Sequence, residues 1–284
     1  MKMKLVMSFM LVMLFSSLAI AGSTIVRAKD TENTASARQF DVVGLRLAMS
    51  PLEINQIIKG RSGLRSTESK GSLIYQPSTG GQKRIPGSDY IRVITALENT
   101  KYPESITVIF TPTSGREQAI SIERKQIFRP DQQPSIDTAT DALINKYGQI
   151  SYKRKLNSTT TELFWRFDDG GLLRDVKQGG IGPTTSDVCG SPSSVIFEYG
   201  FDKVSDKTTI QNLLEKYEKC GHTQVRAVLS SHQSTNLVSS LQVYLDGWVN
   251  AVSAKRAMQQ LIEDFASNQL SKDTSNANRR KPEL

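Results

Sequence analysis

The sequence predicts an α+β fold, with short helices packed on antiparallel sheets, two helix-then-strands cycles and a C-terminal amphipathic helix. Three observations predict it. Apolar residues alternate with period two in several short runs, as at Ile106, Val108 and Phe110, which is the mark of antiparallel strands with one buried face. Capped helix starts stand at Ser50 and again at Ser135. After each of them the chain passes into strand-like runs, so the order helix-then-strands occurs twice.

The elements follow in order. Lys2 and Lys4 precede an apolar run from Leu5 to Ile20, and Ala19-Ile20-Ala21 closes it. A basic start, a hydrophobic middle and an A-x-A end read as a secretory signal peptide over residues 1–21. The run is short and broken by Ser8, Ser16 and Ser17, unlike a membrane span. Residues 22–39 are polar and read as a flexible leader. From Phe40 the chain runs into Ser50, an N-cap with Pro51 at the first helical position and Glu53 three residues after the cap, which together make a capping box. Met49 and Ile54 take the staple positions. Ile54, Ile57 and Ile58 then share a face, and Gly60 can end the helix. A polar loop follows, and then strand-like runs at Leu73–Gln76, Tyr90–Leu97, Ile106–Phe110 and Ile120–Phe128, with Thr113-Ser114-Gly115-Arg116 as a hairpin turn.

Pro130 to Pro134 breaks the pattern. Ile136, Ala139, Leu143, Ile144 and Tyr147 have helical spacing up to Gly148. Strands are expected at Ile150–Leu156 and Thr161–Phe167, with Asp168-Asp169-Gly170-Gly171 as a turn. Gly171 to Ser194 reads as a long Gly, Pro and Ser-rich connection. Beyond it come a strand at Val195–Tyr199, a helix at Thr208–Lys219 and closing strands at Val225–Leu229 and Leu237–Leu245. Trp248, Val249, Val252, Met258, Leu261, Ile262 and Phe265 form a helical apolar stripe, which most simply packs on the core. The expected division is therefore a first α+β unit over 40–129, a second over 130–270 and a disordered tail over 271–284.

Composition narrows the function classes. Removal of residues 1–21 leaves 263 residues and lowers the net charge from +8 to +6. The basic residues are scattered, with runs only at Lys153-Arg154-Lys155 and Arg279-Arg280-Lys281. That pattern suits solubility or an anionic envelope surface rather than nucleic acid. No second apolar run reaches the ~20 residues of a membrane span, so no transmembrane segment is expected in the mature chain. Cys189 and Cys220 are the two cysteines. In an exported chain they read as one disulfide, closing a loop of about 30 residues for roughly 3–4 kcal/mol. His222 and His232 are the two histidines, but the cysteine spacing does not match a zinc site, and no metal or cofactor is expected.

Catalytic signatures are absent from the sequence: there is no G-x-S-x-G, P-loop, H-E-x-x-H or G-x-G-x-x-G. His232, in Ser230-Ser231-His232-Gln233-Ser234, could sit on a catalytic loop but reads more simply as a polar turn. Asn157-Ser158-Thr159 is a glycosylation sequon, relevant only in a host that uses it.

The segment Gly44-Leu45-Arg46-Leu47-Ala48-Met49-Ser50-Pro51-Leu52-Glu53-Ile54 resembles the repeat opening of the β-lactamase-inhibitor-protein-like superfamily, whose architecture the small outer-membrane assembly lipoproteins share. Ala48 stands where that family usually has glycine. The second cycle keeps the order of elements but lacks the methionine motif. The resemblance implies helices on an antiparallel sheet and an exported, non-enzymatic module that offers a sheet face to a protein partner. It carries no binding residue, because the matched motif is a helix start. The expected function is thus an exported binding or envelope-associated protein, periplasmic or secreted, with a protein or envelope component as partner. The alternative is a hydrolase of an envelope polymer, which needs a histidine or a carboxylate pair in a cleft.

The cysteine pairing has its own test. Non-reducing mass spectrometry of exported protein should find it lighter by the two hydrogens lost on oxidation, and two free thiols would reject the bridge.

Overall fold

The computed structural model describes residues 24–27, 40–75, 81–168, 171–176, 222–232 and 235–279. The fold is α+β: one large antiparallel sheet with helices against it. In chain order the strands are β1 (Thr24–Arg27), β2 (Asp41–Val42), β3 (Leu45–Arg46), β4 (Leu64–Gly71), β5 (Ile74–Tyr75), β6 (Lys83–Arg84), β7 (Tyr90–Glu98), β8 (Glu104–Phe110) and β9 (Ala119–Ile127). They continue with β10 (Tyr152–Lys155), β11 (Thr160–Asp168), β12 (Gly171–Val176), β13 (Thr223–Ser231) and β14 (Val238–Gly247). The helices are α1 (Pro51–Lys59), α2 (Ile136–Tyr147) and α3 (Trp248–Arg279).

Ten strands form the sheet in the order β1-β12-β11-β13-β14-β9-β8-β7-β4, with β10 sharing the outer edge of β11. This order contains two like halves. After α1, the chain builds the meander β4-β7-β8-β9; after α2, it builds β10-β11-β13-β14. The fourth strands, β9 and β14, meet antiparallel from Ser121↔Asp246 to Ile127↔Ser240. Both cycles therefore share one sheet, with the last strand of each at its centre.

One face of the sheet holds the main core. Ile94, Ala96, Ile106, Val108 and Ile122 from the first half join Leu163, Trp165, Val225, Ala227, Val243 and Leu245 from the second. Ile54 and Ile58 of α1 and Ala139, Leu143 and Tyr147 of α2 close over them. Burying each valine, leucine or isoleucine among them contributes roughly 1.5–3 kcal/mol. Trp165 Nε1 donates to Gly148 O at 2.8 Å, so its polar edge is satisfied where α2 ends. A smaller cluster of Leu73, Ile85 and Tyr90 packs against Met258 and Ile262 of α3. Among the described residues no helix is long and apolar enough to cross a membrane.

The α1 start is built as its sequence implies. Ser50 Oγ accepts from Glu53 N at 3.3 Å, and Ser50 N donates to Glu53 Oε2 at 2.7 Å. The segment before it carries strain. Val43 and Gly44 form the two-residue turn between β2 and β3, both at positive φ, 53° and 88°, as in a type I′ hairpin. Glycine suits that turn, whereas β-branched Val43 does not. Ala48 also has positive φ, 64°. Hydrogen bonds on either side hold it there: Ala48 N to Ala119 O at 2.9 Å and Ala119 N to Met49 O at 2.8 Å.

The structure departs from the sequence-based expectation at several elements. Residues 64–71, expected as loop, form β4; it is polar and exposed along both faces, so it shows no alternation. The expected strand at Leu73–Gln76 is the short β5, paired with β6. Residues 24–27 of the expected leader pair with β12, and 171–176 of the expected long connection are β12 itself. Helix α3 continues past Ser271 to Arg279, with Gln260 Nε2 donating to Asp264 Oδ1 at 2.9 Å and Thr274 Oγ1 to Leu270 O at 2.8 Å. The turn at Thr113–Arg116 is present, closed by Arg116 N to Thr113 O at 2.9 Å, and Asp168 faces Gly171 across the next expected turn. The strand expected at 195–199 and the helix at 208–219 lie outside the described residues.

One carboxylate ties the end of α1 to the sheet, and another ties α2 to the β2–β3 hairpin. Glu104 accepts from Arg61 Nη2 at 2.8 Å and from Arg124 Nε at 2.7 Å. Burial alone would raise its pKa, but the bonds and charges of the two arginines outweigh it and hold the carboxyl below its ordinary 4.5. Asp41 accepts from Gly44 N and from Lys146 Nζ of α2. There too burial opposes, and those partners prevail, so the pKa is lowered.

Replacing Val43 by Asn and Ala48 by Gly should each raise stability by about 1 kcal/mol in urea unfolding; a loss at both sites would show the left-handed backbone is not native. A group with a depressed folded pKa contributes stability above its unfolded value and loses it as pH falls through the folded one. Unfolding free energy should therefore drop below about pH 4.5, and Glu104→Gln should flatten that acid limb while costing stability at pH 7. An unchanged limb would contradict the assignment.

Candidate interaction face

The second face of the sheet carries polar side chains, and strand register sets them in rows. Ser121, Asp246, Gln224 and Arg166 stand directly opposite one another across β9, β14, β13 and β11. Two residues along comes the row Thr107, Glu123, Tyr244, Arg226, Phe164 and Tyr152. A third holds Ser105, Lys125, Gln242, Val228, Glu162 and Arg154. The rows exist because side chains alternate between faces and the strands keep register.

The first row is sealed. Gln224, Asp246, Ser121 and Arg166 are 1%, 2%, 4% and 5% exposed. Helix α3 starts here and crosses β13 and β9, with Ala251 packed on Ile120 and Trp248 fully buried. Ser121 Oγ donates to Asp246 Oδ1 at 2.6 Å, a charge-assisted bond joining the central strands. Arg166 Nη2 donates to Tyr152 Oη at 3.0 Å. Lys255 of α3 is also buried, and burial pushes its ammonium pKa down.

The other rows are partly open. Tyr152 stacks on Phe164 at 4.3 Å. Glu162 is buried between Arg154, whose Nε lies 2.9 Å away, and Arg226, at 3.9 Å. The Arg226 guanidinium lies 4.0 Å from the Tyr244 ring centroid, a close cation–π pair. Burial, reinforced by Glu123, raises the Tyr244 phenol pKa. Gln242 Nε2 donates to Glu123 Oε1. Lys125 is exposed, and Thr95, Thr107 and Ser105 are half-buried. Leu97, on the same face of β7, is 51% exposed.

The residues singled out by sequence lie elsewhere. Cys189 and Cys220 are outside the described residues. His232 is exposed in the β13–β14 turn, its carbonyl accepting from Thr235 N at 3.2 Å. His222 precedes β13, and its carbonyl accepts from Trp248 N at 3.0 Å, so the two histidines stand at opposite ends of that strand. Asn157 caps the β10–β11 turn, where Thr159 N and Oγ1 donate to its Oδ1. Among the described residues no group of three or more His, Cys, Asp or Glu could hold a metal ion. Sequence reasoning missed the buried row because it expected the second face to be solvated. The available signal was the polar residue set between apolar neighbours in Ile120-Ser121-Ile122 and the acid in Leu245-Asp246-Gly247.

Comparison of the chain with protein-family models, with curated proteins and with solved structures finds no match.

The bond between the central strands can be measured. Asp246→Ala should cost roughly 2–3 kcal/mol and Ser121→Ala less. A double-mutant cycle should give a coupling of about 1–3 kcal/mol; strict additivity would mean the bond contributes nothing.

Proposed function

We propose that this protein is an exported, non-enzymatic binding module that engages a protein or envelope component through the part of the sheet's polar face that α3 leaves open. The observation that carries the reading is the Arg226–Tyr244 pair at 4.0 Å, half-buried on that face. Exposed Lys125 lies near it along β9, and half-exposed Leu97 lies further out on β7. Tyrosine and arginine are the residue types that most often dominate protein interfaces, because each offers a rigid apolar surface with a polar end. On the open rows Arg226, Arg154 and Lys125 stand against Glu123 and the buried Glu162, and the exposed Lys125 favours an acidic partner surface. The export half of the reading rests on Lys2, Lys4, the apolar run and Ala19-Ile20-Ala21. The scatter of the basic residues along the chain favours protein over nucleic acid.

The test is affinity capture from a native envelope fraction with mature protein as bait, run beside Arg226→Ala and Tyr244→Ala. A specific partner should be retained by the parent and lost, by about tenfold or more, in the variants. Capture indifferent to both substitutions would reject this face. Hydrolysis of ester, glycoside or peptide substrates by the pure protein, abolished by His232→Ala, would replace the reading with an envelope hydrolase.

A further inference from the structure

Among the described residues the sheet ends at β4, which pairs there with β7 alone. Along Leu64–Gly71 six consecutive residues, from Arg65 to Lys70, are exposed. The outer edge of β4 thus offers a row of backbone donors and acceptors long enough to template another strand. Exposed edges of this length are ordinarily guarded by charge, and β4 does carry Glu68 and Lys70. Their spacing turns the guard into a selector.

We propose that β4 pairs with β4 of a second copy of this chain, antiparallel about a two-fold axis at Ser69. In an antiparallel pair alternate residues turn their N–H and C=O groups toward the neighbour, so a strand meeting its own copy must align residues of like parity. Glu68 opposite Glu68 of the copy sets two carboxylates against each other. Lys70 opposite Lys70 sets two ammonium groups together. Between these two registers lies Ser69 opposite Ser69, which sets Glu68 opposite Lys70 of the copy and Lys70 opposite its Glu68. Opposite charges on directly facing residues attract and like charges repel, so this register gains two pairs while its immediate neighbours are penalised. Glu68 Oε1 already accepts from Asn55 Nδ2 at 2.7 Å, which fixes the carboxylate near the helix face where Lys70 also points by alternation. The irregularity at Ser69/Lys70 leaves this alternation intact, because the extra residue, Arg92, sits on β7. The paired stretch is short, so the dimer is a weak one that forms with concentration. This surface is separate from the Arg226–Tyr244 face, and the proposal stands or falls apart from it.

The test is sedimentation velocity of the mature protein from about 1 to about 200 µM. The parent should shift toward dimer across that range. Glu68→Lys and Lys70→Glu should each weaken dimerisation by about tenfold or more, and the E68K/K70E double variant, which exchanges the charges, should recover to within about threefold of the parent. Ser69→Cys should cross-link to itself in the dimer faster than Ser66→Cys. These substitutions are on an exposed edge, and circular dichroism of each variant checks that the fold is kept. A protein monomeric throughout, or a dimer indifferent to the single reversals, overturns the proposal.

Discussion

The antiparallel seam between β9 and β14 is the constraint on which the rest depends. It joins residues 121–127 to 240–246, more than a hundred positions apart, and it makes one sheet of two meanders. Because the seam is central, apolar side chains from both halves share one core, and α1 and α2 close the same face. Without it each meander would bury its helix alone, and the apolar area per residue would shrink as it does in any small domain. The Ser121–Asp246 bond crosses this seam on its other side, so both faces of the sheet are tied there.

The two faces solve different problems. The helix face is apolar and needs shape complementarity. The opposite face is polar, and where α3 seals it every charge must find a partner, since an unmatched buried charge is costly. Rows set by register meet this need economically. Each residue has a neighbour at fixed spacing on both adjacent strands, so acid, amide, hydroxyl and guanidinium can be alternated across the sheet. Further from α3 the same rows open to solvent, and the chemistry that neutralised buried charge becomes a surface of arginine, tyrosine and lysine.

How much was legible depends on the range of the interaction. The α1 start was fully readable, because Ser50, Pro51 and Glu53 act on one another within four residues. Strands with one buried face, such as β8, were readable from alternation alone. β4 was not, because an edge strand exposed on both sides has no apolar pattern and is held by β7 through its backbone. The buried row was not readable either, since Ser121 and Asp246 look like surface residues until β9, β14 and α3 are brought together. Ala48 was not readable: the left-handed backbone it adopts is a property of the folded segment.

The left-handed residues Val43 and Ala48 have a consequence for how stability is spread through the molecule. Strain there raises the energy of one stretch of chain and leaves the seam untouched. The free energy needed to lift β2, β3 and the approach to α1 from the sheet is reduced by that amount, while global unfolding keeps its full cooperative cost. The molecule is thus graded, with a soft corner beside Asp41 and Lys146 and a stiff centre at β9 and β14. Opening of that corner is thereby made cheaper relative to opening of the sheet's centre, although Val42 and Leu45 keep it anchored in the core.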